Sequence, residues 1–277
     1  MTKLRLSVRK DPVYKLSAIQ AQPVDAGGSN LQTKALTITS NGTVSVTPDP
    51  PYDALKKVDV TVNVASGGGS PTDPYIEYTS IDSSGRVFTA KFRGTIVPEH
   101  AFSYLAELTS VDMPDNVIAI GDNGFYRCPK LSLTSLPSGI TSIGQYAFNN
   151  CPRLALTSLP SGITSLPTAA FQYCPKLALT TFPSGLISIG DYVFRNCTSL
   201  ASITLPPALT SIGDYAFSNC TGLETVRFTS TVSSIPNGVF SGCTKLSTIY
   251  VPWSQGQVAN APWGASNATI IYDYTEN

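Results

Sequence analysis

A single histidine, His100, serves the whole chain of 277 residues. Imidazole is the usual side chain for proton transfer near neutral pH and a common metal ligand. One copy therefore removes most metal sites and most Ser–His or Cys–His mechanisms. Charge is also scarce, at 13% of residues, and it balances: Lys+Arg and Asp+Glu number 18 each. No global field draws the molecule to nucleic acid or to an anionic membrane. No run approaches the ~20 apolar residues of a membrane-spanning helix. The G-x-S-x-G elbow, the phosphate loop and the H-E-x-x-H pair are all missing. Neither catalysis nor a cofactor nor a metal is expected. The start, MTKLRLSVRKDPVYKL, alternates Leu4, Leu6 and Val8 with Arg5, Ser7 and Arg9. A signal peptide needs a continuous apolar run of roughly 7–15 residues. The alternation reads as a strand instead, so export is not expected, and DYTEN at the other end carries no lipidation or retention signal.

What the chain has in quantity is repetition. Phenylalanine recurs every 23 residues at Phe102, Phe125, Phe148, Phe171, Phe194, Phe217 and Phe240. Three residues on stand Leu105 and then Cys128, Cys151, Cys174, Cys197, Cys220 and Cys243. Three further stand Leu108, Leu131, Leu154, Leu177, Leu200, Leu223 and Leu246. Seven units without an insertion predict a solenoid, because no unit can bury its apolar stripe alone. Gly and Pro, 21 of each, suit its many turns.

Within a unit, LASITLP (200–206) reads as a strand with Leu200, Ile203 and Leu205 inward, ended by Pro206. The return segment turns Leu209 and Ile212 inward. The next position is Gly121, Gly144, Gly190 or Gly213 in four units and Pro98, Pro167 or Pro236 in three. Exchange with Pro requires a negative φ. Pro followed by an acidic or polar residue suits the start of a helical turn. The predicted fold is thus a β-rich leucine-rich-repeat solenoid of seven 23-residue units, one strand plus a one-turn helix per unit. A small all-β anchor domain precedes it. The divisions are 1–65, a β-rich anchor or docking segment; 66–74, a Gly/Ser/Pro linker; 75–251, the solenoid with its N-terminal β cap; and 252–277, a C-terminal cap. Within the anchor, 31–48 reads as a hairpin turning at Asn41-Gly42, a type I′ signal, and 56–65 reads as a further strand.

The motif LxxIxLPxxLTSIGDYAFxxC, nearly complete at 200–220, resembles the bacterial surface-antigen (BspA-like) class of leucine-rich repeats over about residues 95–251. That resemblance implies the solenoid fold and a role in adhesion or partner binding. The stretch LQTKALTITSNGTVSVTPDPPYDALKKVDVTVNV resembles a β-rich segment of tail-associated and other virion proteins of phages that infect Gram-positive bacteria. IYVPWSQGQVANAPWGASNATIIYDY resembles the end cap of phage-borne repeat proteins. Together the resemblances imply a non-enzymatic protein at the virion surface, on tail or capsid, binding a host glycan or protein. Residues 1–65 would dock on other virion proteins, and the protein would be a homo-oligomer in the particle. The alternative is a bacterial cell-surface adhesin of the same class.

The chemistry-bearing residues have bland readings beside the sharp ones. The six cysteines read as buried small apolar groups, since equivalent Cβ vectors in stacked coils run parallel and cannot close disulfides. Glu99, Asp122, Asp191 and Asp214 read as charges at helix N-termini before they read as a Ca²⁺ ladder. Trp253, Trp263, Tyr272 and Tyr274 read as an end seal before a sugar platform. Lys3, Arg5, Arg9, Lys10 and Lys15 are either a solvated strand face or a docking arm for an acidic partner.

Units two to four depart from the motif. LSLTSLP, LALTSLP and LALTTFP place Leu133, Leu156 and Leu179 where the strand faces outward and Thr134, Thr157 and Thr180 where it faces inward. Strict register would expose three stacked leucines; a local shift would bury them and line the face with hydroxyls. Both remain open at this point. Either way Leu133, Ser135, Leu156, Ser158, Leu179 and Thr181 are the candidate ligand contacts.

Overall fold

The computed structural model describes residues 88–275 in full. Ahead of them it describes the backbone of seven strands: Lys3–Lys10, Leu16–Val24, Thr33–Ile38, Val44–Pro48, Asp59–Ala65, Tyr75–Ile81 and Val87–Arg93. The alternating N-terminal segment is a strand as expected. It pairs antiparallel with Leu16–Val24, which the sequence reading missed, and parallel with Asp59–Ala65. The hairpin at 31–48 forms, with Ile38 paired to Val44 and Leu36 to Val46. The turn itself lies outside the described residues, as does the linker at 66–74.

From the Tyr75–Ile81 and Val87–Arg93 hairpin onward the chain is one solenoid. Val87–Arg93 pairs antiparallel with Tyr75–Ile81 and runs parallel to Ser110–Asp112, which joins the hairpin to the strand side of the first unit. Each unit is a three-sided coil. One side is the strand after the leading Leu: Ser110–Asp112, Ser202–Leu205, Thr225–Phe228 and Thr248–Tyr250. The last three lie side by side in a parallel ladder that Thr269–Ile271 extends. A turn closed onto the Pro carbonyl follows, as in Ile140 N–H to Pro137 O at 3.2 Å. The second side is a two-residue rung, from Ile96–Val97 to Ser211–Ile212.

The third side corrects the sequence reading: among the described residues there is no helix. An α-helix sends each N–H to the carbonyl four residues back. Here alternate N–H groups leave the unit altogether. His100, Phe102 and Tyr104 donate to the carbonyls of Asp122, Gly124 and Tyr126 on the next coil, at 2.9, 2.8 and 2.8 Å. The N–H groups between them close four-residue turns, Ala101 to Pro98 O and Ser103 to His100 O. That geometry needs a left-handed residue on each side of the Phe, as at His100 (φ 55°) and Tyr104 (φ 62°). Four of these positions are Asn, which tolerates φ > 0: Asn123, Asn150, Asn196 and Asn219. Gly242, at φ 76°, takes the last one.

The core runs down the axis. All seven repeat phenylalanines are fully buried. Their rings stack in sequence with centroids 4.9, 5.1, 5.5, 5.9, 5.2 and 5.8 Å apart. Gly121, Gly144, Gly190 and Gly213 do lack a positive φ, as their exchange with Pro implied. Their reason is close approach rather than a helix start. A Cβ on Gly144 or Gly213 would lie 2.4 Å from the backbone nitrogen of Asp122 or Asp191 in the coil before.

Candidate functional site

The strand side of units two to four settles the open register. Leu156 and Leu179 are fully buried, and Leu133 is half-buried against the core. Thr134, Thr157 and Thr180 are exposed. The exposed apolar patch is therefore not formed: Leu156 and Leu179 are not available to a ligand, and only Leu133 keeps a partly exposed edge. The cause is energetic. Burying a leucine side chain stabilises by about 1.5–3 kcal/mol, and leaving a threonine hydroxyl unpaired in the core costs about 1–3 kcal/mol. Both terms favour the shift. What is lost is the ladder: between Ser110–Asp112 and Ser202–Leu205 only the Thr181–Thr204 bridge remains on this side. Single rungs at the start of each segment hold the coils in step, Ala155 N–H to Leu133 O at 3.0 Å and Ala178 N–H to Leu156 O at 3.1 Å.

The remaining candidates Ser135, Ser158 and Thr181 are exposed. With the three threonines they make a hydroxyl-lined face across three coils. At its N-terminal edge, where the ladder lapses, a shallow groove of about 460 Å³ opens between units one and two. Asp112 and Asp115 line one wall, and Leu133, Thr134 and Ser135 line the other. Asp112 is turned toward Arg93 at 3.4 Å.

The cysteines are buried and free of disulfides. They do more than fill space. Each thiol donates to the carbonyl of the repeat Phe one coil back, from Cys128 to Phe102 O at 2.9 Å through Cys243 to Phe217 O at 3.0 Å. Burial pushes the Cys151 and Cys197 thiols up to about 12. They are protonated donors, not nucleophiles.

Two of the four acidic residues, Asp122 and Asp191, are likewise structural, while Glu99 and Asp214 are exposed. Oδ1 of Asp122 accepts the Gln145 N–H at 2.7 Å, and Oδ1 of Asp191 accepts the Asp214 N–H at 2.8 Å. They cap the next coil rather than a helix. Among the described residues no group of three or more His, Cys, Asp or Glu converges as a metal site would. His100 lies exposed on the third side, with Ser103 Oγ 3.4 Å from its Nδ1. Trp253 and Trp263 are buried; Trp253 packs edge-on against Trp263 and Phe228, and Trp263 lies tilted against Phe228. The Trp263 carbonyl accepts the Phe240 N–H at 3.0 Å, standing in for an eighth coil. The aromatic end is a seal. Lys3, Arg5, Arg9 and Lys10 lie on the Lys3–Lys10 strand, of which only the backbone is described, and Lys15 lies outside the described residues.

One feature escaped the motif search. The residue before each leading Leu forms a column: Glu107, Lys130, Arg153, Lys176, Ser199, Gly222 and Lys245. Lys130 pairs with Glu107 at 2.5 Å, while Arg153 and Lys176 are exposed at the entrance to the hydroxyl face. Counting charge along the repeat, rather than along the chain, reveals it.

A family model described as the BspA type leucine rich repeat region matches residues 88–185 and 165–261, in six copies. Among solved structures, the chain is similar to a leucine rich repeat protein of T. pallidum. The identity is 31%, over 61% of this chain and 76% of that one, with a TM-score of 0.49. It is also similar to a leucine rich cell surface protein of Faecalibacterium prausnitzii, at 27% identity over 62% and 61% of the two chains, TM-score 0.36. The pneumococcal vaccine antigen PcpA matches at 12% identity over 82% and 89%, TM-score 0.36. No curated protein matches.

Proposed function

The chain belongs to the BspA-type leucine-rich repeat family, and from that premise we propose that it acts by adhesion, without catalysis, its solenoid gripping a glycan or protein on a cell surface. The observation that carries this is the hydroxyl face of units two to four, where Thr134, Ser135, Thr157, Ser158, Thr180 and Thr181 are all exposed on successive coils. A rigid, repeating array of short polar groups suits an extended ligand, since little side-chain entropy is lost on contact. The test is steric and leaves charge unchanged. Ser135→Gln, Ser158→Gln and Thr181→Gln together should cut binding of the labelled full chain to Gram-positive cells by about tenfold or more, roughly the loss of one good contact. The urea midpoint should stay put. Undiminished binding would move the contact off this face.

In the finer reading the protein sits on a phage virion, with residues 1–65 docked on neighbouring virion proteins as a homo-oligomer. The resemblance of 31–64 to virion-associated segments supports it. The family match favours the second reading, a bacterial cell-surface adhesin. Sequencing the mature N-terminus separates them. Met1 retained in purified particles supports the virion, and an exported chain cleaved near residue 20 supports the adhesin.

A further inference from the structure

Between Asp122 and Asp191 the chain contains no acidic residue, whereas Arg127, Lys130, Arg153 and Lys176 all fall in that span. In a protein whose charges otherwise cancel, the 68 residues from Asn123 to Gly190 carry only cations. The fold then concentrates them. Arg153 and Lys176 occupy the same place in consecutive turns, closed by Leu154 N–H to Cys151 O and Leu177 N–H to Cys174 O, both at 3.0 Å. The rungs two residues later, at Ala155 and Ala178, fix the coils in register. The backbones carrying the two cations are thus stacked at about the 4.8 Å strand spacing. Like charges so placed repel one another. Glu107 offsets Lys130, but among the described residues no ion pair offsets Arg153 or Lys176. Nothing in the core requires them, since both point to solvent.

We propose that this column and the hydroxyl face beside it form a binding track for a linear polyol-phosphate polymer of the kind that decorates bacterial walls, lying along the solenoid axis over units two to four. Phosphodiesters spaced along the polymer face the cation column, and the polyol hydroxyls meet Ser135, Ser158 and Thr181. The choice of a ring-free polyanion follows from what the strand face lacks. Nucleobases bind by stacking on exposed aromatic side chains. On the strand segments of units two to four the one aromatic residue, Phe182, is buried. The exposed tyrosines, such as Tyr146 and Tyr173, lie on the third side. The proposal rests on the adhesion reading and names its ligand.

The experiment uses the full chain and purified poly(glycerol phosphate), with dextran, polygalacturonate and a single-stranded DNA oligonucleotide as comparison polymers. Wild type should bind poly(glycerol phosphate) best and lose affinity steeply with added salt, as screened charge pairs do. Arg153→Glu with Lys176→Glu should weaken binding by about tenfold or more and flatten the salt dependence. Lys245→Glu, in the same column but three coils beyond Lys176, should bind as wild type. All variants should keep the wild-type unfolding midpoint. Equal or better binding of any comparison polymer, or an unaffected double variant, overturns the proposal. Cell binding that survives the double variant but not the glutamine triple variant overturns the polymer assignment while leaving adhesion intact.

Discussion

Phe171 and Cys174 show how much one residue carries in a stacked fold. Phe171 is fully buried, with Phe148 5.5 Å below and Phe194 5.9 Å above. Replacing it with Ala should cost about 3–5 kcal/mol, as buried aromatic truncations do. Urea unfolding of Phe171→Ala would register this, and an unchanged midpoint would contradict the column. The thiols make a second, pH-dependent prediction. Cys151 and Cys197 have folded pKa values raised by burial from 9.0 to about 12. The unfolded chain therefore releases protons first as pH rises. The stability these thiols contribute is complete below about pH 9 and is lost as pH climbs toward about 12. The midpoint should fall across that window, and less steeply in a Cys151→Ala, Cys197→Ala variant. In the native state near neutral pH Cys151 and Cys197 should resist a thiol reagent, and after denaturation all six cysteines should react. A count of two or four would mean disulfides that the geometry does not hold.

At the scale of one coil, the strand side and the core positions were legible because a 23-residue period leaves little freedom about which side chains face the axis. The third side was not. A helical turn and a pair of tight turns bury the same Phe and Cys. They differ in where the N–H groups point, and that is decided by the neighbouring coil. The asparagines at 123, 150, 196 and 219 were the available clue, since they mark left-handed positions no helix would have. The threonine shift in units two to four was visible only as a choice between two registers, and packing made it. Glycine separates a helix start from close approach by experiment. Gly→Ala at an ordinary negative φ stabilises by about 0.4–1 kcal/mol through the unfolded chain. Gly185→Ala should do so, because nothing lies within 4 Å of its Cβ. Gly213→Ala should instead destabilise by about 1–3 kcal/mol, as overpacking does. Its Cβ would lie 2.4 Å from the Asp191 nitrogen and, at 2.4 Å, equally close to Oδ1. Paired melts of the two variants decide this, and a stabilised Gly213→Ala would mean the coils can separate there.

For the whole molecule, a stack in which each coil touches only its neighbours has a stability close to a sum of coil and interface contributions. Loss of one complete period should therefore leave a shorter solenoid, and loss of an end should not. Deleting 154–176 joins Arg153 to Leu177 in the register that Arg153 and Leu154 had. The stacked phenylalanines, the thiol donors and the two-residue rungs can all re-form across the join. The strand ladder is already lapsed there, so little pairing on that side is sacrificed. Deleting 200–222 also keeps the period, but it removes Ser202–Leu205 and its four paired positions with Thr225–Phe228. That variant should be the less stable of the two in urea, although both should unfold cooperatively. Removing 252–277 is different in kind. It takes away Trp253 and Trp263, uncovers Phe228, and strips the Phe240 N–H of its Trp263 carbonyl. It also leaves Thr248–Tyr250 as an unpaired edge, a template for association with other chains. The truncated chain should aggregate at concentrations where both internal deletions remain monodisperse by size-exclusion chromatography. A monodisperse truncation would show that the last complete coil can end the stack without its aromatic seal.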